Sequence, residues 1–221
     1  MNMADFYIMA PTLEALMRYE ESGQFLFVNR GEVLDRYDSG PIPKAVFDAG
    51  GAMIATQSDV PLGIPLPKAQ WRFDDENILP DIWGDGYTYL VSGRFQEAAG
   101  LPVANTEEFG VETSGTAQAA ADQRNYRMLR LGLLETEALD MKRTTTDLLQ
   151  NIRFVKDHVF RSGFVPEGPI FMTPESVYTF VTADLADRIQ CAGITDVKFL
   201  DPTVRLPEIG YPPKPMPKDC P

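Results

Sequence analysis

The sequence is poor in histidine, cysteine and bases. It has one histidine and two cysteines, and its 20 lysines and arginines stand against 32 aspartates and glutamates, for a net charge of −12 over 221 residues. A lone His158 excludes any metal cage or charge relay that needs two histidines, and it is expected at the edge or surface of a strand. Two thiols as far apart as Cys191 and Cys220 do not make a disulfide framework. Cys191 lies on the apolar side of a helical run and reads as a small buried hydrophobe, whereas Cys220, in a proline-rich tail, reads as a free exposed thiol. Its place second from the end does not fit a prenylation signal. No apolar run is long enough to span a bilayer. The opening MNMADFYIMAP lacks a basic stretch followed by an apolar one, so neither anchor nor secretory signal is expected. The compartment expected on these grounds is the cytoplasm, where thiols stay reduced.

Signatures of chemistry are equally scarce. There is no GxSxG elbow and no Cys–His pattern, and DAGGAM (48–53) lacks both the spacing and the lysine of a phosphate loop. DIWGDG (81–86) has Trp83 where a calcium loop needs a second oxygen ligand, and no closing glutamate follows. Asp74, Asp75 and Glu76 could in principle supply an acid–base pair, but adjacent carboxylates on one loop do not converge on a point. The expectation is a protein with no metal, no cofactor and no catalytic residues.

What the chain does have is hydrophobic content and acid. Hydrophobic residues make up 44% and aromatics 10%, enough for one sizeable core or two small lobes sharing an interface. The acid is unevenly placed. Residues 74–112 hold nine acids (Asp74, Asp75, Glu76, Asp81, Asp85, Glu97, Glu107, Glu108 and Glu112) and a single base, Arg94. Charge at this density repels nucleic acid and anionic membranes and attracts a cationic partner, although solubility alone would also account for it. Trp71, Phe73, Trp83 and Tyr87 interleave with these acids. That mixture suits a protein-binding surface, in which aromatics anchor and charges orient, and it equally suits core aromatics under acidic loops.

Patterning places the elements. DFYIM (5–9) reads as a strand, TLEALMRYEES as a helix capped by Thr12 and ended by Gly23, and QFLFVN (24–29) as a strand. Residues 39–68 carry five prolines and read as irregular connections with at most short strands. TYLV (88–91) is a strand, Ser92 a cap, and FQEAA a short helix stopped by Gly100. VETSGTAQAAADQ (111–123) reads as a mobile loop, residues 126–134 as a strand, and NIRFVKDHVF (151–160) as an alternating strand. PIFMT (169–173) and YTFV (178–181) are short strands. ADLADRIQCA is a helix with Leu185, Ile189 and Ala192 in one stripe, stopped by Gly193, and VKF closes the series. Aligning Val91 with Val181 puts Ser92 on Thr182 and Phe95 on Leu185, which fits a duplicated unit or a common strand-to-helix transition equally well. PTVRLPEIGYPPKPMPKDCP (202–221) reads as an extended tail over the surface. The fold class is α+β: mixed, mostly antiparallel strands with a few short helices and long irregular loops. Three regions are expected: an N-terminal strand and helix region with Pro/Gly-rich loops (1–70), an α+β region (71–201) forming one unit with it, and the tail (202–221).

Several pieces occur in an order that resembles bacterial immunity proteins of polymorphic-toxin systems, the family numbered eleven among them. LPDIW (79–83) leads into YLVSGRF (89–95). EALDMKRT (137–144) and PIFMT (169–173) then precede the strand–helix–Gly–strand stretch FVTADLADRIQCAGITDVKF (180–199). The family's last motif commonly has Gly where this chain has Asp196, and the first 70 residues match loosely. The resemblance implies a non-enzymatic protein that binds and neutralises a cognate toxin, in keeping with an acidic, aromatic-containing surface directed at a cationic toxin domain. The residues expected on that surface are Trp71, Asp74, Asp75, Glu76, Asp81, Trp83, Asp85, Glu107 and Glu108, with no nucleic acid and no membrane as partner. An adaptor or chaperone for a secreted effector, or a carboxylate-based hydrolase, are the alternatives.

Overall fold

The structure is a computed structural model. It describes residues 5–15, 46–47, 53–54, 69–85, 88–132, 135–149, 152–203, 210–218 and 220. The strand expected over 24–29 and most of the helix expected after Thr12 lie outside the described residues. Thr12 does begin a helical turn, its Oγ1 accepting from the Ala15 amide at 3.2 Å.

The fold is α+β. Its strands are β1 (Phe6–Pro11), β2 (Val46–Phe47), β3 (Met53–Ile54), β4 (Ala69–Arg72), β5 (Ile82–Asp85), β6 (Thr88–Val91), β7 (Thr106–Ser114), β8 (Arg127–Leu131), β9 (Thr145–Leu149), β10 (Ile152–Asp157), β11 (Ile170–Met172), β12 (Thr179–Thr182) and β13 (Val197–Leu200). The helices are α1 (Gly93–Ala99), α2 (Gln118–Gln123) and α3 (Ala183–Cys191). One sheet has the order β11-β12-β1-β13 and another β4-β7-β8-β6-β5, while β9–β10 and β2–β3 are separate two-stranded ladders. All pairings are antiparallel except β4 with β7.

The two sheets repeat one plan. In the larger sheet the hairpin β5–β6 leads into α1, then β7, and β8 inserts between β6 and β7. In the smaller sheet the hairpin β11–β12 leads into α3, then β13, and the inserted strand is β1, from the start of the chain. The second unit is thus a circular permutation of the first. The Val91–Val181 equivalence therefore extends well beyond the ten residues that suggested it. β5 packs against β1, and β11 packs correspondingly against β8. Tyr89 and Thr179, at equivalent positions, share a hydrogen bond of 2.7 Å between Oη and Oγ1. The two helices pack together, and each supplies an arginine to the other's C-terminus: Arg94 donates to the Ala192 carbonyl, and Arg188 to the Ala99 carbonyl at 3.3 Å. Positive charge at a helix C-terminus meets carbonyls that have no intrahelical partner.

The shared core between the units is drawn from both sheets and both helices, including Met9, Val91, Phe95, Leu129, Val181, Leu185, Ile189 and Phe199. A second cluster lies on the far face of the larger sheet (Trp71, Phe73, Leu90, Tyr126, Met128) and a third on the far face of the smaller one (Phe6, Ile8, Phe171, Phe180, Tyr211).

Two sequence expectations change here. The segment 111–123 is not a loop: β7 runs on to Ser114, and α2 follows it. β7 lacks an apolar alternation because it is held between β4 and β8 by main-chain bonds, with Glu107 facing a buried Arg130. The thiols are not free: Cys191 and Cys220 form a disulfide linking the end of α3 to the tail. Sequence distance concealed this pairing, because the tail folds back over the smaller sheet and ends beside α3.

Candidate partner-binding surface

The LPDIW and VSGRF motifs meet at Asp81. Its carboxylate is buried and accepts from Ser92 Oγ at 2.7 Å, Arg94 Nη1 at 2.9 Å and Arg124 Nη1 at 3.2 Å. Its carbonyl accepts the Ser92 amide, and its own amide donates to Asp196 Oδ2 at 2.6 Å. Ser92 in turn caps α1 by accepting from the Phe95 amide. Asp196 thus ties the turn before β13 to the turn before β5. The Asp81 amide joins the two units through Asp196, while the Asp81 charge is met within its own unit by two guanidinium groups and a hydroxyl.

The acids 74–76 are placed differently. Strand β4 ends at Arg72, whose Nε donates to Asp74 Oδ2 at 2.7 Å, while Asp74 Oδ1 accepts from the Thr116 amide at 3.1 Å. The Arg72 guanidinium, then the Thr116 amide, hold the Asp74 carboxyl below the usual carboxylate range. Thr116 Oγ1 closes the link by donating to the Asp74 carbonyl at 2.7 Å. Gly115 permits this approach. Its φ is +98°, and a Cβ there would lie 2.2 Å from the Phe73 carbonyl oxygen. Asp75 caps the following 3₁₀ turn (Glu76–Ile78), accepting from the Asn77 amide and side chain, both at 2.9 Å. Asp74 and Asp75 are part-exposed, and Glu76 and Asn77 are exposed. The result is an ordered acidic turn beside the edge strand of the larger sheet.

The other residues expected at the surface divide as follows. Trp71 is buried beside Phe73, whose ring stacks on Tyr126 at 5.1 Å, and Trp83 packs part-buried against the same cluster. These aromatics are core under acidic loops. Glu107 is paired with Arg130, which is 1% exposed. Glu108 points inward: its Oε1 is buried without a hydrogen-bond partner among the described residues, and burial pushes its carboxyl up against the opposing effect of Arg127. Asp85 closes β5, and its side chain lies outside the described residues, as does Tyr87. The described side chains among the nine expected positions do not form one patch. Among the described side chains of the nine, the outward-facing carboxylates are those of Asp74, Asp75 and Glu76, and Glu112 on β7 is exposed as well.

His158 is not at a surface. It is fully buried, its ring edge-on to Tyr178 and Phe180 and tilted to Tyr211. Nε2 lies 2.9 Å from Ser176 Oγ, and Nδ1 lies 3.4 Å from Tyr211 Oη, which donates to the Lys156 carbonyl. Strand alternation could not reveal this burial, because His158 follows β10 and is enclosed by β12 and the tail. The Ser176–His158 contact has the atoms of a nucleophile–base pair. However, Ser176 Oγ also accepts the Tyr178 amide, and burial lowers the imidazole pKa to about 4, too low for an efficient base near neutral pH. The contact closes a loop.

Among the described residues, no group of three or more His, Cys, Asp or Glu is placed to hold a metal ion, and no helix is long and apolar enough to cross a membrane. No family model matches the chain, and no curated protein matches it.

Proposed function

We propose that this protein is an immunity protein that binds and neutralises a cognate toxin, a cationic domain, through the acidic turn at Asp74–Asn77. The observation that carries the reading is the preorganisation of that turn. Its main chain is fixed by Asp75 capping and by the Arg72–Asp74–Thr116 link, so exposed acidic charge is held on a rigid edge before any partner arrives. Fixed charge of one sign speeds encounter with the opposite sign, and a rigid loop loses little entropy on docking. The resemblance of the ordered sequence pieces to the immunity family points the same way. Their best-formed parts serve the scaffold here, Asp81 and the two helix caps included, which leaves recognition to less regular segments.

Co-expression tests the function itself. The reading expects a toxin domain encoded in the gene's neighbourhood that arrests growth alone, with growth recovering when this protein is present. Binding without recovery is the outcome that the adaptor reading expects, and it would overturn neutralisation.

A further inference from the structure

The tail is more than an extended cover. Residues 210–218 lie against the open edge of β13: the Asp201 amide donates to the Pro212 carbonyl at 2.8 Å, the Lys214 amide donates to the Phe199 carbonyl at 2.7 Å, and Leu200 bridges Pro213. The segment therefore serves as a short fifth strand of the smaller sheet, where β4 serves the larger one. Its side chains anchor it. Tyr211 closes the His158 cage and donates to the Lys156 carbonyl. Lys214 is buried, pairs with Asp187, donates to Gln190 at 3.2 Å and sits 5.3 Å over the Tyr7 ring. Beyond Lys214 the chain is mostly exposed until Cys220, whose bond to Cys191 returns it to the end of α3.

We infer that the Cys191–Cys220 disulfide is a redox clasp that decides whether the β13 edge is covered. Closed, the bond pins the far end of the strap to α3, so the strap cannot peel away from its end inward. Opened, the strap is held at that end, among the described residues, by Lys214 and the two main-chain bonds, and it can fray from Cys220 back to Tyr211. Fraying bares the Phe199 carbonyl and the Asp201 amide, the groups by which a sheet edge accepts another strand. Closing the clasp takes two electrons and two protons from the two thiols, delivered to an oxidant of the disulfide class. Opening it requires a dithiol reductant, which becomes a disulfide itself. The strap is therefore locked where disulfides persist and free to open where thiol reductants dominate.

Hydrogen exchange on the full chain tests this, with dithiothreitol as the reductant and alkylation mass to count thiols. The oxidised protein should carry no free thiol. Reduction should accelerate exchange of the Asp201 and Lys214 amides by about tenfold or more beyond any change at Leu90 and Leu129 in the core. Cys220→Ser without reductant should reproduce the reduced pattern. Equal acceleration at both sets of amides would mean general loosening and would overturn the clasp. No acceleration, or two free thiols in the oxidised protein, would overturn it as well.

Discussion

Asp81 shows what one carboxylate does when two guanidinium groups and a hydroxyl converge on it. Loss of its charge leaves Arg94 and Arg124 without their shared anion, at a cost moderated by the water that reaches both guanidinium groups. Because Arg94 and Arg124 are half exposed, Asp81→Asn should lower unfolding free energy by about 1–2 kcal/mol in a urea titration; a loss below about 0.5 kcal/mol would place the network at the solvated surface. His158 gives a prediction with a definite sign. Its folded pKa is about 4, lowered chiefly by burial, with the Pro202 carbonyl and Asp157 acting the other way. An unfolded chain returns the imidazole to its ordinary value near 6.5. Below that value the unfolded state takes up a proton that the folded state refuses, so stability is fully present above pH ~6.5 and falls as pH drops toward 4. The loss should reach about 3 kcal/mol, and in His158→Gln the corresponding segment of the pH–stability curve should flatten. If the variant and the parent have the same slope between pH 6.5 and 4, His158 is not the group responsible.

At the level of the element, the two strand–cap–helix units are chemically alike in sequence and unequal in structure. Thr182 Oγ1 accepts only the Leu185 amide among its recorded bonds, whereas Ser92 Oγ accepts from Phe95 and also donates to Asp81. Thr182→Ala should therefore cost about 1 kcal/mol, an ordinary cap loss, and Ser92→Ala about twice that. Equal costs would show that the Asp81 link adds nothing. At Gly100, φ is +68° and a Cβ would stand 3.0 Å from Arg188 Nη1, so Gly100→Ala should destabilise by about 1–2 kcal/mol and disturb the arginine that caps α1. These units were legible in the sequence because their signals are local: an apolar run, a hydroxyl, a stripe and a glycine. β7 was not, because Thr106–Ser114 owes its extended form to neighbours on both sides. The burial of His158 and Trp71 and the pairing of Cys191 with Cys220 were hidden for the same reason, since each depends on chain segments distant in sequence.

Across the whole molecule, the repeated plan explains how an irregular sequence forms two matched sheets. β1 completes the unit whose other strands lie after residue 169, so the chain's beginning and end are joined in one sheet. Among the described residues the long acidic run divides under this plan: Asp81, Glu107 and Glu108 are buried or paired against the sheet, Asp74, Asp75 and Glu76 form the turn after β4, and Glu97 on α1 and Glu112 on β7 are exposed. The strand classes and the α+β architecture could be read from patterning. The permuted repeat of strand order could not, because sheet order is set by long-range pairing. If the acidic turn is the contact, its charge should act on encounter more than on residence. If the proposed function holds, the direct measurement is stopped-flow association with the cationic toxin domain whose toxicity this protein relieves on co-expression, using the parent protein and the double variant Asp75→Asn/Glu76→Gln, which keeps a capping side chain at 75. The account predicts that the parent's association rate falls as salt rises. It also predicts that the variant associates about threefold to tenfold more slowly at low salt with a shallower salt dependence and a similar dissociation rate. Identical association rates for the two proteins at every salt concentration would contradict it.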